Sequence, residues 1–329
     1  MKKSADKIVI RSLNQIGIVV KNLEEVMDDY WNILGIGPWT VFVLKPPYSF
    51  DMTCGGIPCS YTLKVGLAKV GSIELKLIES IEGPTTYIDF LKQHGEGAYH
   101  LQYPVSSVEE LDRHVDMLAQ QGFSSVWGGR FGYNGGWSHI DTSGKLGTIW
   151  GPYKMDDCYE GPVNNYPADT EATNPVKIKV DAIAQISIFV RDIEKTIKNY
   201  QDILGIGPWE LFDVKPSMLY DVTYRGKPGK YTMKVGLTKL GSIELELIQP
   251  TSGRSAYTDF IARHGEGINH LAFAVDCVER TNKLMEEEGF SIIQSGRRYD
   301  GRGTDDWSYY DTIDRLKVVW EAWQPPVTK

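Results

Sequence analysis

Two periods alternate along this chain. Segments such as Gln15–Val20 (QIGIVV) and Gln185–Val190 (QISIFV) are short, apolar and rich in β-branched residues, which predicts strands. Just after the first, Leu23, Val26, Met27, Tyr30, Trp31 and Leu34 recur every three or four residues, which predicts a helix with one buried face. Asn22 with Glu25 has the form of its capping box, and Gly35 that of its stop. Ser107 with Glu110 opens a further helix in the same way. Strand-like text broken by Gly and Pro turns follows, so each unit is expected to run β-α-β-β-β. Residues 153–180, rich in Pro, Asn, Asp and Thr, read as a linker, and RGKPGK at 225–230 as a hairpin turn. GRFGYNGG and GRRYDGRGTDD read as flexible loops that could act as lids.

The pattern repeats. DYWNILGIGPW at 29–39 recurs as NYQDILGIGPW at 199–209, and KVGLAKVGSIELKLIES at 64–80 as KVGLTKLGSIELELIQP at 234–250. HGEGAYHL at 94–101 recurs as HGEGINHL, and WSHIDT as WSYYDT. Every match has the same offset of 170 residues. A fainter repeat lies inside each half: strand-then-helix text begins at Gln15 and at His100, and again at Gln185 and at His270. Four units therefore form two domains, expected at 11–152 and 181–326. Missing such a repeat would miscall the fold.

Composition narrows the function classes. The chain has 329 residues, enough for two domains of ordinary size that need no disulfides. A net charge of −8 argues against non-specific nucleic-acid binding. No apolar run is long enough to span a membrane, and the N-terminal MKKSADKIVI lacks the apolar stretch of a signal peptide, so a cytoplasmic protein is expected. Accordingly Cys54, Cys59, Cys158 and Cys277 are expected as reduced thiols. GIGPW follows a helix instead of opening one, so it is no dinucleotide fingerprint.

Paired βαβββ units that open with a polar residue on a strand resemble the vicinal oxygen chelate (glyoxalase/bleomycin resistance/dioxygenase) superfamily over nearly the whole chain. GEGINHL and ELELIQP look most like its methylmalonyl-CoA epimerase branch. The resemblance implies an α+β fold of two glyoxalase-like domains, each an open sheet curled around a metal. It carries four ligand positions onto Gln185, Glu246, His270 and Glu321 in the second half. In the first half the same positions hold Gln15, Lys76, His100 and Gly151, so that domain is expected to be degenerate and metal-free. The epimerases usually carry His, Gln, His and Glu there; the order Gln, Glu, His, Glu resembles animal glyoxalase I.

Two carboxylates, an imidazole and an amide oxygen suit one divalent ion such as Zn, Co, Mn or Ni. Such an ion polarises a carbonyl and stabilises the enolate left when the α-proton departs. A neighbouring carboxylate, Glu321 or Glu246, would carry the proton. Each of these residues taken alone has an ordinary explanation, as a solvated strand glutamate or a hydrogen-bonded histidine; the weight lies in the set. Tyr224, Arg225, Tyr309 and Trp323 are the candidate substrate contacts, with Asp221 or Tyr224 as a second acid. The function expected is a metal-dependent isomerase, an epimerase or racemase acting α to the carbonyl of an acyl thioester or aromatic ketone, with a homodimer as an allowed assembly. The alternatives are a glyoxalase I (lactoylglutathione lyase) type of isomerase, a non-catalytic binding protein and an extradiol dioxygenase, which would want two histidines.

Overall fold

A computed structural model of the chain describes residues 7–156, 159–169, 174–299 and 304–326. Gln15–Val20, buried at every position, runs parallel to Ile73–Glu82 on one side and antiparallel to Gly97–Pro104 on the other. Trp39–Leu44 and Thr62–Val70 continue the sheet beyond the first neighbour. Ile149–Lys154, Gly135–Ile140 and Ser125–Phe131 continue it beyond the second. Each half thus holds two βαβββ units joined at their first strands. Two insertions decorate this plan: a hairpin of Ser49–Cys54 and Ile57–Pro58 that pairs with Ser125–Phe131, and the helix Thr86–His94. The second sheet has the same order, centred on Gln185–Phe189 between Ile243–Ser252 and Gly267–Ala274. Both sheets curl around a cup, with Leu23–Leu34, Val108–Gln120, Ile193–Leu204 and Val278–Glu287 on the opposite face.

The first helix, Leu23–Leu34, starts where Asn22 accepts a hydrogen bond from the Glu25 N–H and stops at Gly35 in the left-handed conformation (φ 63°). Leu23, Val26, Met27, Tyr30 and Leu34 are buried as expected; Ile33 takes the place given to Trp31, which is half-buried at the edge of the stripe. This helix packs across the boundary between halves. The Tyr30 hydroxyl donates to the Leu316 carbonyl (2.7 Å), and its counterpart Tyr200 donates to the Leu146 carbonyl (2.8 Å). One apolar core therefore runs through both halves, and a separate apolar cluster lines each cup.

The segment between the halves adds to the first sheet: Val163–Tyr166 forms an edge strand paired with Trp39–Leu44, which makes that sheet eleven-stranded. Two expectations need correction. The two glycine-rich segments are largely hairpin strand, Ser125–Phe131 against Gly135–Ile140 and Ile292–Tyr299 against Thr304–Tyr310; residues 300–303 of the second lie outside the described residues. Cys54 and Cys59 are joined in a disulfide across the turn of the inserted hairpin, whose geometry brings their Cα atoms to 5.9 Å, while Cys277 is free. Cys158 lies outside the described residues. RGKPGK does form the expected turn, with Tyr224 opposite Lys227.

Candidate functional site

Strand register builds the site. In the second sheet Ser187 lies opposite both Glu246 and His270, and Gln185 lies opposite Glu244 and Ala272; Ala272 in turn lies opposite Glu321. Because side chains alternate between faces, Gln185, Glu246, His270 and Glu321 all project from the same concave face. His270 is fully buried, Glu321 is 5% exposed and Gln185 8%. His270 Nε2 stands 3.0 Å from Glu321 Oε2 and 3.5 Å from Glu246 Oε2. Neither contact is aligned as a hydrogen bond, so this nitrogen is buried and unpartnered between two carboxylates.

The surroundings orient the set. His270 Nδ1 lies 3.1 Å from Asn269 Oδ1, an acceptor that holds a proton on Nδ1 and turns Nε2 into the cup. Tyr309 packs on the imidazole face at 4.6 Å between centroids, and the Tyr257 hydroxyl meets that of Tyr309 at 3.2 Å. Gln185 donates through Nε2 to Glu244, which leaves its Oε1 as the atom open to a cation. Burial opposes a charge on His270, but the fields of Glu321 and Glu246 outweigh it and push its pKa up to about 9. Burial also raises the Glu321 carboxyl, against the pull of His270. Without a metal, a proton on His270 thus offsets part of the carboxylate charge.

These donors fit a divalent ion: an imidazole nitrogen with no hydrogen bond, one buried and one half-buried carboxylate, and an amide oxygen on one face. Among the described residues no three His, Cys, Asp or Glu side chains are already drawn around a common centre. The ion would replace the proton on Nε2 and draw the two carboxylates inward.

The first half resolves the same positions differently. Lys76 Nζ and His100 Nε2 both meet Gln102 Oε1, at 3.1 and 3.2 Å. Gln102 stands where the second half has Ala272, so an amide oxygen bridges Lys76 and His100 on the cup floor. Burial, with the Lys76 charge beside it, pushes His100 well below its ordinary pKa and keeps it neutral. Its ring stacks on His139 at 3.9 Å, where the second half has Tyr309, and it occupies the space above Gly17. A Cβ at Gly17 would lie 2.0 Å from His100 Cε1. Gly151 is equally constrained. The ladder between Gly135–Ile140 and Ile149–Lys154 skips Gly151 and Pro152, and a Cβ at Gly151 would lie 1.9 Å from the Ser138 carbonyl oxygen. In the second half the ladder continues through Tyr309 opposite Glu321.

The candidate substrate contacts separate. Tyr309 and Trp323 stay with the cup, Trp323 on the strand of Glu321 and two residues beyond it. Tyr224 and Arg225 are held by Asp259, Arg225 at 3.0 Å, and line a cleft of about 1130 Å³ between the halves. The Asp221 side chain is 79% exposed and lies 3.8 Å from Arg297. Sequence reading missed Arg298, which pairs with buried Asp305 (2.6 Å), lies 5.3 Å from the Phe212 ring centroid and acts on Glu244 through its charge. Position-by-position comparison at the repeat offset would have flagged Arg298 against Gly128, and Gln102 against Ala272.

A family model described as the Glyoxalase/Bleomycin resistance protein/Dioxygenase superfamily matches residues 14–139 and again 184–310. An uncharacterized protein of Synechocystis sp., slr0090, is 21% identical over 265 residues, 77% of this chain and 70% of its own length. Among solved structures, a mutant of 4-hydroxymandelate synthase from Streptomyces coelicolor superposes with a TM-score of 0.64 at 13% identity, covering 96% of this chain and 93% of that one. A xylose isomerase-like TIM barrel/4-hydroxyphenylpyruvate dioxygenase fusion protein reaches 0.56 at 11% identity, over 98% of this chain and 50% of the fusion. At such identities the likeness speaks for the fold alone.

Proposed function

The chain belongs to the Glyoxalase/Bleomycin resistance protein/Dioxygenase superfamily, and on that premise we propose that its second domain is a metal-dependent isomerase that moves a proton on the carbon next to a carbonyl. The reading rests on one observation: a buried, unpartnered His270 Nε2 flanked by Glu321 at 3.0 Å and Glu246 at 3.5 Å. Gln185, Glu246, His270 and Glu321 would hold the ion. When bound, the ion supplies the Lewis acidity that makes the proton α to a carbonyl removable.

The chain's own residues supply the rest. Glu321 accepts the α-proton on its carboxylate and returns it; burial raises its pKa, which makes it a better base than a solvated carboxylate. Glu246 stands across the imidazole as the second acceptor. Asn269 fixes the His270 tautomer, and Tyr309 packs on its ring and holds the imidazole in place. Substrate is an acyl thioester or an aromatic ketone. The ligand order also suits glyoxalase-type chemistry, which shares this proton transfer. A dioxygenase built on iron wants two histidines and one carboxylate, whereas the cup of the second half offers one histidine and two carboxylates.

The test is solvent exchange. A substrate incubated in D₂O with the metal-loaded protein gains deuterium at the α-carbon, and Glu321→Gln lowers that rate by about 10²–10⁴-fold. Metal content is measured on the same samples, so that a lost ion is not mistaken for a lost base. Undiminished exchange in Glu321→Gln moves the base to Glu246. No exchange with any ketone, thioester or hemithioacetal refutes the isomerase.

A further inference from the structure

The cup of the first half has lost its carboxylates but has not filled in. A cavity of about 140 Å³ remains above Lys76 and Gln15, with walls that include Phe42, Leu67, Phe131 and Trp137. The linker roofs it: Val163 pairs with Phe42 across the added edge strand, and Tyr159 donates its hydroxyl proton to the Val43 carbonyl. The floor is polar and under-satisfied. Lys76 is 9% exposed, and among the described residues no carboxylate forms an ion pair with it. One of its three ammonium donors is used by Gln102 at 3.1 Å. Gln15 is 1% exposed; its Nε2 donates to Glu74 Oε2 at 2.7 Å, which settles the orientation of the amide, and its Oε1 has no partner.

Burying this cation is costly, and burial outweighs the field of nearby Glu74 and lowers the Lys76 pKa to about 8. An apolar cavity of this volume admits a guest of about benzene size. The fixed positive charge excludes a metal ion. A phosphate would want several donors, and the lining residues supply one cation.

We propose that the first domain is a second ligand site, which takes a small hydrophobic carboxylate with its anionic group on Lys76 and its apolar body against Phe42, Leu67, Phe131 and Trp137 beneath the linker roof. The degenerate half then binds where the other half reacts, because exchanging Glu for Lys at one strand position inverts the charge of the cup. The site stands independently of the isomerase reading.

The probe is benzoate, titrated into the full-length, metal-loaded protein by calorimetry and ligand-observed NMR. One benzoate binds per chain, with nuclear Overhauser contacts between its ring protons and the Trp137 indole. Neutral benzyl alcohol binds at least about tenfold more weakly, since a charge-assisted hydrogen bond is lost. Lys76→Met weakens benzoate by a similar factor and leaves the metal content unchanged. Leu67→Phe keeps the charge but fills the cavity, and it too weakens benzoate, so a folding defect in one variant does not decide the result. Absence of saturable binding, indifference of benzoate to both substitutions, or contacts to Tyr309 and Trp323 in place of Trp137 would overturn the proposal.

Discussion

Adding one carbon at Gly151 tests whether the first domain is merely depleted of ligands or rebuilt without them. A Cβ there would stand 1.9 Å from the Ser138 carbonyl oxygen, 3.0 Å from its carbon and 3.2 Å from His139 Cα. All three are backbone atoms in the middle of a sheet. An ordinary C···O approach is ~3.3 Å, so the strand must retreat by about 1.4 Å. Overpacking of this kind costs about 1–3 kcal/mol, and a domain of roughly 150–250 residues loses roughly 2–4 °C of melting temperature per kcal/mol. Gly151→Ala is therefore expected to melt about 2–12 °C below wild type by scanning calorimetry. Gly144→Ala is the control, since a Cβ at Gly144 meets nothing within 4 Å and should not lower the midpoint. The double substitution Lys76→Glu with Gly151→Glu, which restores the carboxylates on paper, should lose stability and gain no metal. A second ion per chain, bound by a protein that melts like wild type, would refute the reasoning.

The remaining predictions concern the second cup. Elemental analysis should find one divalent ion per chain; His270→Ala should lose it and His100→Ala should keep it, because His100 already spends Nε2 on Gln102. Two ions, or retention of metal by both variants, would mean that the ligands were assigned wrongly. In the metal-free protein the His270 pKa is raised from 6.5 to about 9. The stability it contributes is therefore fully present below pH 6.5 and is lost as the pH rises through about 9. The melting temperature of chelator-treated wild type, compared with His270→Gln, should converge over that window; a difference independent of pH would show that His270 carries no extra proton.

Much of the site was legible in motif and repeat. The resemblance to the superfamily singled out Gln185, Glu246, His270 and Glu321, and the offset of 170 residues set Lys76 and Gly151 against two of them. What a period cannot give is the partner across the sheet. Glu244 bonding Gln185, or Gln102 bridging Lys76 and His100 in the first cup, depends on register between strands far apart in sequence. Tyr224 and Arg225 were drawn to Asp259 on the Ala256–His264 helix, an element that the expected unit did not include.

The sequence by itself determined the repeat and the α+β units, since these follow from local period and from comparison of the chain with itself. Only the tertiary structure decided that the halves share one core through Tyr30 and Tyr200, and that the linker contributes a strand to the first sheet. It alone showed that Gly17 and Gly151 are occupied from outside, by an imidazole and a backbone carbonyl. The physical reason is distance along the chain: hydrophobic period is written within a dozen residues, whereas close approach, charge balance and cavity shape arise where segments a hundred residues apart are pressed together.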